Sequence, residues 1–208
     1  MNSPQRPTAY HQRLPYGERV SPAPLLGSPF FAFDGDVQVV VLDEPVLPEP
    51  PRAGEEGGAP CPTCSDPDGL AIWADERWVV KAGFEPTGLQ MVALLLPREH
   101  YRLDNLTPEL VADLGSMIQR VAGAVGRIEG VGRTHFSRFG DGSEHFHVWF
   151  FARPVGMQQL RGPLLSVWGD ILPPVPEEEF RANTRTVAAA LTEVSGAPMG
   201  LGVPNDRT

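Results

Sequence analysis

Between residues 70 and 152 the apolar residues fall into five short runs with the two-residue period or continuous hydrophobicity of strands. Residues 70–74 and 77–82 read as a hairpin around Asp75-Glu76, and residues 89–96 as a strand apolar almost throughout, hence buried on both faces. Residues 133–139 and 145–152 form an antiparallel pair joined by a glycine turn, the second rich in β-branched and aromatic side chains. Helical spacing appears in Leu110, Leu114, Met117, Ile118, Val121 and Val125. Thr107 caps that helix, Pro108 opens it and Glu109 faces its positive end, so it is expected over 108–128, stopping before Gly130. Two further helices are expected over 160–172, which contains Trp168, and 176–194, where Glu177, Glu178 and Glu179 sit at the favourable end.

The ends are less regular. Residues 1–30 read as a coil or arm, although Phe30, Phe31 and Phe33 imply that part of it packs on something. A strand is expected over 37–42, then a loop of Pro, Gly and Glu over 44–60, and the last residues read as a tail. The pattern predicts an α+β fold: an antiparallel sheet of about five strands crossed by the 108–128 helix, with C-terminal helices. Residues 1–55 form an N-terminal extension, 56–157 the core domain, and 158–208 a helical extension and tail.

Composition narrows the partners. With 208 residues and 41% hydrophobic content the chain can build a real core, and its net charge of -9 argues against nucleic acid. No run approaches the roughly 20 apolar residues of a membrane span, and no apolar segment follows the N-terminus as in a signal peptide, so a soluble, cytoplasmic protein is expected. The only two cysteines, Cys61 and Cys64, form a CxxC pair, read as a metal knuckle or a redox pair. Redox pairs ordinarily open a helix in a βαβ unit, whereas Pro62 and the run from Ser65 to Gly69 read as a tight loop, which favours metal.

The densest chemistry lies in residues 140–154. Strand alternation points His145, His147 and Trp149 the same way, with neighbours roughly 6 to 7 Å apart, so one imidazole can hold a metal while the next reacts beside it.

The order of parts is recognisable: CxxC, a hairpin, an apolar strand ending in Pro97-Arg98-Glu99-His100, a Leu-Thr-Pro-Glu-Leu helix start, then a strand pair ending in Gly-x-x-x-x-His-x-His. This resembles the histidine triad superfamily over roughly residues 61–154, and within it the zinc-bearing branches and galactose-1-phosphate uridylyltransferase. The resemblance implies zinc held by Cys61, Cys64, His100 and His145, a set whose two thiolates and two imidazoles also suit a closed tetrahedral site. It implies His147 as the nucleophile of a nucleotidyl hydrolase or nucleotidyltransferase that forms a covalent nucleotidyl-histidine. The substrate would be a nucleotide phosphoanhydride, a phosphoramidate or a sugar nucleotide, and the protein a homodimer.

Gly140, Asp141, Ser143 and Arg153 are the candidates for contacting substrate, and Trp149 stands at the catalytic position usually filled by His or Gln. Its indole can donate one hydrogen bond but cannot shuttle a proton. Asp141 and Gly142 replace the usual Gln and Ser, Ser143 offers a hydroxyl displaced by one position, and Thr134 falls where an Asn is usual. These departures leave two alternatives: a metalloenzyme acting on a small metabolite through a catalytic metal, or a zinc-stabilised binding module. Arg98, Arg138 and the tryptophans 73, 78, 149 and 168 are further candidates for phosphate and base, and His135 reads as structural or partly exposed.

Overall fold

The computed structural model describes residues 43–83 and 85–202, together with Gly17, Phe33 and Val37. Most of the N-terminal arm and of the expected 37–42 strand lies outside the described residues.

Six strands form one antiparallel sheet: β1 (Ala71–Ala74), β2 (Trp78–Ala82), β3 (Val92–Pro97), β4 (Val131–Ser137), β5 (Val148–Pro154) and β6 (Ala197–Pro198). Their spatial order is β4-β5-β3-β2-β1-β6. The architecture is the α+β sheet with a crossing helix that the pattern predicts, with a sixth strand added. β6 lies in residues that read as tail, because two residues carry no period; it is fixed by pairing Trp73 with Pro198 and Ala74 with Ala197.

Four α-helical segments complete the described chain: α1 (Pro62–Ser65), α2 (Pro108–Val125), α3 (Leu165–Ile171) and α4 (Glu177–Thr192). Thr107 caps α2 by accepting a bond from the Leu110 N–H at 3.3 Å. The helix ends three residues before the expected 128, because Arg127 and Ile128 turn back onto the carbonyls of Ala124 and Val125. Ile128 is nonetheless buried in the core, which is why the apolar period runs past the helix end. Only the second half of the 160–172 stretch, Leu165–Ile171, is α-helix, entered through a 3-10 turn over Gly162–Leu164.

The two faces of the sheet have different cover. Val80, Ala93, Leu95, Val148, Phe150 and Ala152 pack under α2 and α4, against Met117, Val121, Val125, Val187 and Leu191. The opposite face carries Val92, Trp149 and Phe151, which pack with Leu160, Leu165 and Trp168 of the segment that contains α3. β3 therefore alternates between half-buried and buried positions at its start instead of being buried throughout. It begins at Val92 and not at 89, since Leu89 leaves the sheet to join the α3 cluster. α3 is stitched to the loop before β3: Gly88 N–H donates to the Gly169 carbonyl and Val175 N–H to the Thr87 carbonyl, both at 2.8 Å. A side chain at 88 would place its Cβ 2.4 Å from Leu172 Cβ, so only glycine permits this approach. Among the described residues no helix is long and apolar enough to cross a membrane.

Phe150 is fully buried between the sheet and α2, and truncation leaves a cavity that neighbours on two elements cannot both fill. Phe150→Ala is expected to cost about 3 to 5 kcal/mol, read from the urea midpoint at unchanged slope.

Candidate metal centre and active site

Cys61 serves as N-cap of α1, and its sulfur accepts a bond from the Cys64 N–H at 3.4 Å. The CxxC pair thus opens one helical turn, where a tight loop was expected, but the turn leads into the β1–β2 hairpin and not into a βαβ unit. The turn points both sulfurs at two imidazoles. Cys64 Sγ lies 3.3 Å from His100 Nδ1 and 3.6 Å from His145 Nδ1, and Cys61 Sγ lies 3.6 Å from His145 Nδ1. Bond lengths of about 2.3 Å to sulfur and 2.0 to 2.1 Å to nitrogen in a tetrahedron put S and N about 3.5 Å apart, so the four residues fit a zinc ion. All four donor atoms lie within 4.8 Å of one another.

The other nitrogen of each ligand histidine is already engaged. His145 Nε2 donates to the Pro97 carbonyl at 2.9 Å, and His100 Nε2 to the Glu144 carboxylate at 3.2 Å. These bonds fix both Nε2–H tautomers and leave both Nδ1 lone pairs for the metal, the usual outer support of such sites. Burial holds the His145 imidazole below the ordinary histidine range, which keeps it neutral. Without metal, burial and the neighbouring Cys61 push the Cys64 thiol up to about 11; a bound dication supplies the opposing field that makes a thiolate.

Sequence reasoning missed three contributors. Glu144, next to a ligand at a variable position of the Gly-x-x-x-x-His-x-His motif, bridges His100 and the Arg102 guanidinium, which lies 3.4 Å away. Lys81, half-buried on β2, donates to the Asp66 carbonyl at 2.8 Å and brings positive charge near both sulfurs. Gly54, in the Pro- and Gly-rich loop, has φ +96, and a Cβ there would meet His100 Cε1 at 2.8 Å. That loop lies along the approach to the motif: Ala53 N–H donates to the Gly142 carbonyl, Glu144 N–H to the Ala53 carbonyl, and Arg52 to the Gly140 carbonyl. The recurring glycines of that loop were the one signal in the sequence, and they do not name a partner.

The segment between the ligand and β5 is equally fixed. β5 starts at Val148, so His145, Phe146 and His147 precede the regular ladder; Phe146 N–H donates instead to the Tyr101 carbonyl at 2.6 Å, beside ligand His100. Alternation still holds, with Phe146, Val148 and Phe150 in the α2-side core. His147 is 9% exposed, and its Nδ1 donates to the His145 carbonyl at 2.8 Å, leaving Nε2 as the lone-pair nitrogen. Its ring lies edge-on to Trp149 with centroids 6.1 Å apart, and Trp149 stacks at 6.2 Å on Phe151.

Trp149 and Phe151 line a groove of about 390 Å³ between the sheet and α3, whose rim carries Glu85, Thr87, Ser166 and Asp170. Of the four tryptophans, Trp73 and Trp78 are wholly buried in the α2-side core, and Trp168, on α3, packs against the cluster of Leu89, Phe151, Leu160 and Leu165. Gly140 and Asp141 lie on the loop before the motif, Asp141 exposed. Ser143 Oγ is enclosed without a hydrogen-bond partner. Arg153 is not brought to His147: it sits six residues along the strand, roughly 20 Å away, and donates to the Pro154 and Met157 carbonyls. Arg138 lies over the Phe146 ring at 5.9 Å, and Arg98 lies 3.9 Å from Asp68.

Two outcomes test the metal centre. Glu144→Gln is expected to lower zinc affinity about 10- to 100-fold in a chelator competition, with the fold retained. For His145 the folded pKa is lowered, so the unfolded chain takes up its proton first as pH falls. The metal-stripped protein is therefore expected to lose stability as pH drops below about 6.5, and His145→Asn to flatten that slope in thermal melts across pH.

No family model matches the chain, and no curated protein matches it. Among solved structures, the chain is similar to a zinc-bound histidine triad family protein from Mycobacterium smegmatis, at 22% identity over 64% of this chain and 94% of that one, with a TM-score of 0.47. It is similar to a histidine triad protein from Sinorhizobium meliloti at 26% identity, over 62% and 90% of the two chains, with a TM-score of 0.45. A uridylyltransferase mutant shares 21% identity over 64% of this chain and 48% of that chain, with a TM-score of 0.45. The first two carry the family name that the sequence motifs resemble; all three TM-scores lie below 0.5, and residue roles rest on this chain's own geometry.

Proposed function

We propose that the protein is a nucleotidyl hydrolase or nucleotidyltransferase working through a covalent nucleotidyl-histidine on His147. The observation that carries this is the 2.8 Å bond from His147 Nδ1 to the His145 carbonyl. It commits the lone pair to Nε2 and gives the developing imidazolium a fixed acceptor for its remaining proton. Nε2 forms a bond to the α-phosphorus while the bond to the leaving group breaks, its electron pair departing with that group. Water or a second substrate then attacks phosphorus, and Nε2 leaves with the pair it brought.

Zinc, held by Cys61, Cys64, His100 and His145, supplies structural rigidity to the backbone beneath His147. Four protein donors complete a tetrahedral set, which speaks against the alternative of a catalytic metal with an open position. The 390 Å³ groove suits the uncharged part of a nucleotide, with a ring on Trp149 and Phe151 and hydroxyls reaching Glu85 and Asp170, since two carboxylates at its rim repel phosphate. Gly140, Asp141 and Ser143 belong to the loop nearest the phosphate in this reading. Trp149 cannot protonate a leaving group, so phosphoanhydrides and sugar nucleotides, whose leaving phosphates need no proton, are favoured over phosphoramidates.

Quenched-flow mixing with α-radiolabelled nucleoside polyphosphates and sugar nucleotides is expected to trap an acid-labile label on His147. His147→Gly should abolish it with zinc content unchanged, and added imidazole should restore turnover. Turnover without label, or label surviving in His147→Gly, would sink the mechanism.

A further inference from the structure

A second hollow, of about 270 Å³, opens on the same side of the sheet as the groove and shares Phe139, Phe151 and Ser166 with it. Its remaining lining comes chiefly from His135 and Ser137 of β4 and from Gly162, Pro163 and Leu165. The β4–β5 register pairs Ser137 with Trp149 and His135 with Phe151, and directly opposed side chains project from the same face. His135 therefore stands beside the aromatic row that begins at His147. It is four residues along the strand from His147, roughly 13 Å, too far to pass a proton at phosphorus but close enough to hold the far end of a bound molecule.

The two hollows differ in charge. Among the described residues, the groove is lined by Glu85 and Asp170 and by no cation, and the second hollow by no carboxylate. Beyond His135 the strands carry a facing pair of arginines, Arg133 and Arg153. Arg153 is 6% exposed and spends its guanidinium on two carbonyls, which leave its charge intact. Neither arginine forms an ion pair with a carboxylate among the described residues. Burial and these two guanidiniums hold the His135 imidazole below its ordinary range, so near pH 7 it is a neutral N–H donor in a positive field.

We propose that this hollow is an acid-binding subsite, which seats a carboxylate carried by the non-nucleotide part of the substrate. The placement relative to phosphorus rests on the nucleotidyl reading of His147; the preference for an organic acid rests on the hollow alone. His135 N–H and the Ser137 hydroxyl donate to the carboxylate, the arginine pair supplies the field, and Phe139 and Phe151 contact the group that bears it. A dipolar cleft of this kind orients a two-part ligand, hydroxyl-rich end toward Glu85 and Asp170, acidic end toward His135.

The test is calorimetric, with zinc-loaded protein at pH 7.5 and two probes of nearly equal shape, indole-3-acetate and indole-3-acetamide. The acid is expected to bind at least about tenfold more tightly than the amide, the worth of a hydrogen bond to a charged acceptor. His135→Leu and Arg133→Gln should each erase most of that preference, and Ser137→Asp, a change at a half-buried edge position, should reverse it. Equal affinities for the two probes in the native protein would overturn the subsite, as would a preference untouched by all three variants. Binding needs no turnover: an intact preference with no label on His147 would remove the nucleotidyl reading and leave the subsite standing.

Discussion

The carbonyl oxygen of His145 is the constraint on which the rest of the site depends. One residue supplies a metal-facing imidazole through its side chain and a hydrogen-bond acceptor for His147 through its backbone. The side chain is held at both ring nitrogens, and the next amide is tied to Tyr101, so the carbonyl has little freedom to turn away. A short His-x-His spacing thereby ties the His147 ring to the metal-facing residue, and in the proposed mechanism this orients the nucleophile before any reaction begins.

Much of this was legible in the sequence, and for a physical reason. Repeating patterns report elements whose burial is periodic: the α2 stripe and the hairpin stand where the periods place them, and the β4–β5 pair is present with its strands shifted to 131–137 and 148–154 from the expected 133–139 and 145–152. The four metal-facing residues were legible through the resemblance, which names Cys61, Cys64, His100 and His145, and the fold brings these donors together. What escaped was whatever depends on pairing across distance. β6 is two residues long and exists through its ladder to β1. Glu144 and Gly54 acquire their roles only when the loop over 52–59 lies against the approach to the motif. Arg153 was named as a candidate substrate contact beside the commoner reading of a strand-end arginine, and only the folded chain shows its guanidinium turned onto the carbonyls of Pro154 and Met157.

Trp149 illustrates how one departure redistributes work. A proton-shuttling side chain beside the nucleophile would relax the demand on the leaving group; an indole tightens it and adds a flat apolar surface instead. With Phe151 stacked behind it and Phe139 nearby, the row beside His147 forms an aromatic platform, which in the proposed mechanism moves selection from proton transfer to shape and charge along the cleft.

The stitching of α3 to the loop before β3 gives the molecule a division of labour. The zinc ligands and His147 all lie between residues 61 and 147, while one wall of the groove, with Ser166, Gly169 and Asp170, comes from a segment after the sheet's fifth strand. Two backbone bonds and one glycine contact hold that wall in place, and none of them touches the metal or the nucleophile. That wall therefore rests on contacts separate from those that fix the four metal-facing donors and His147, so in the proposed mechanism it can be exchanged for another of similar backbone path while the centre beneath it stays as it is.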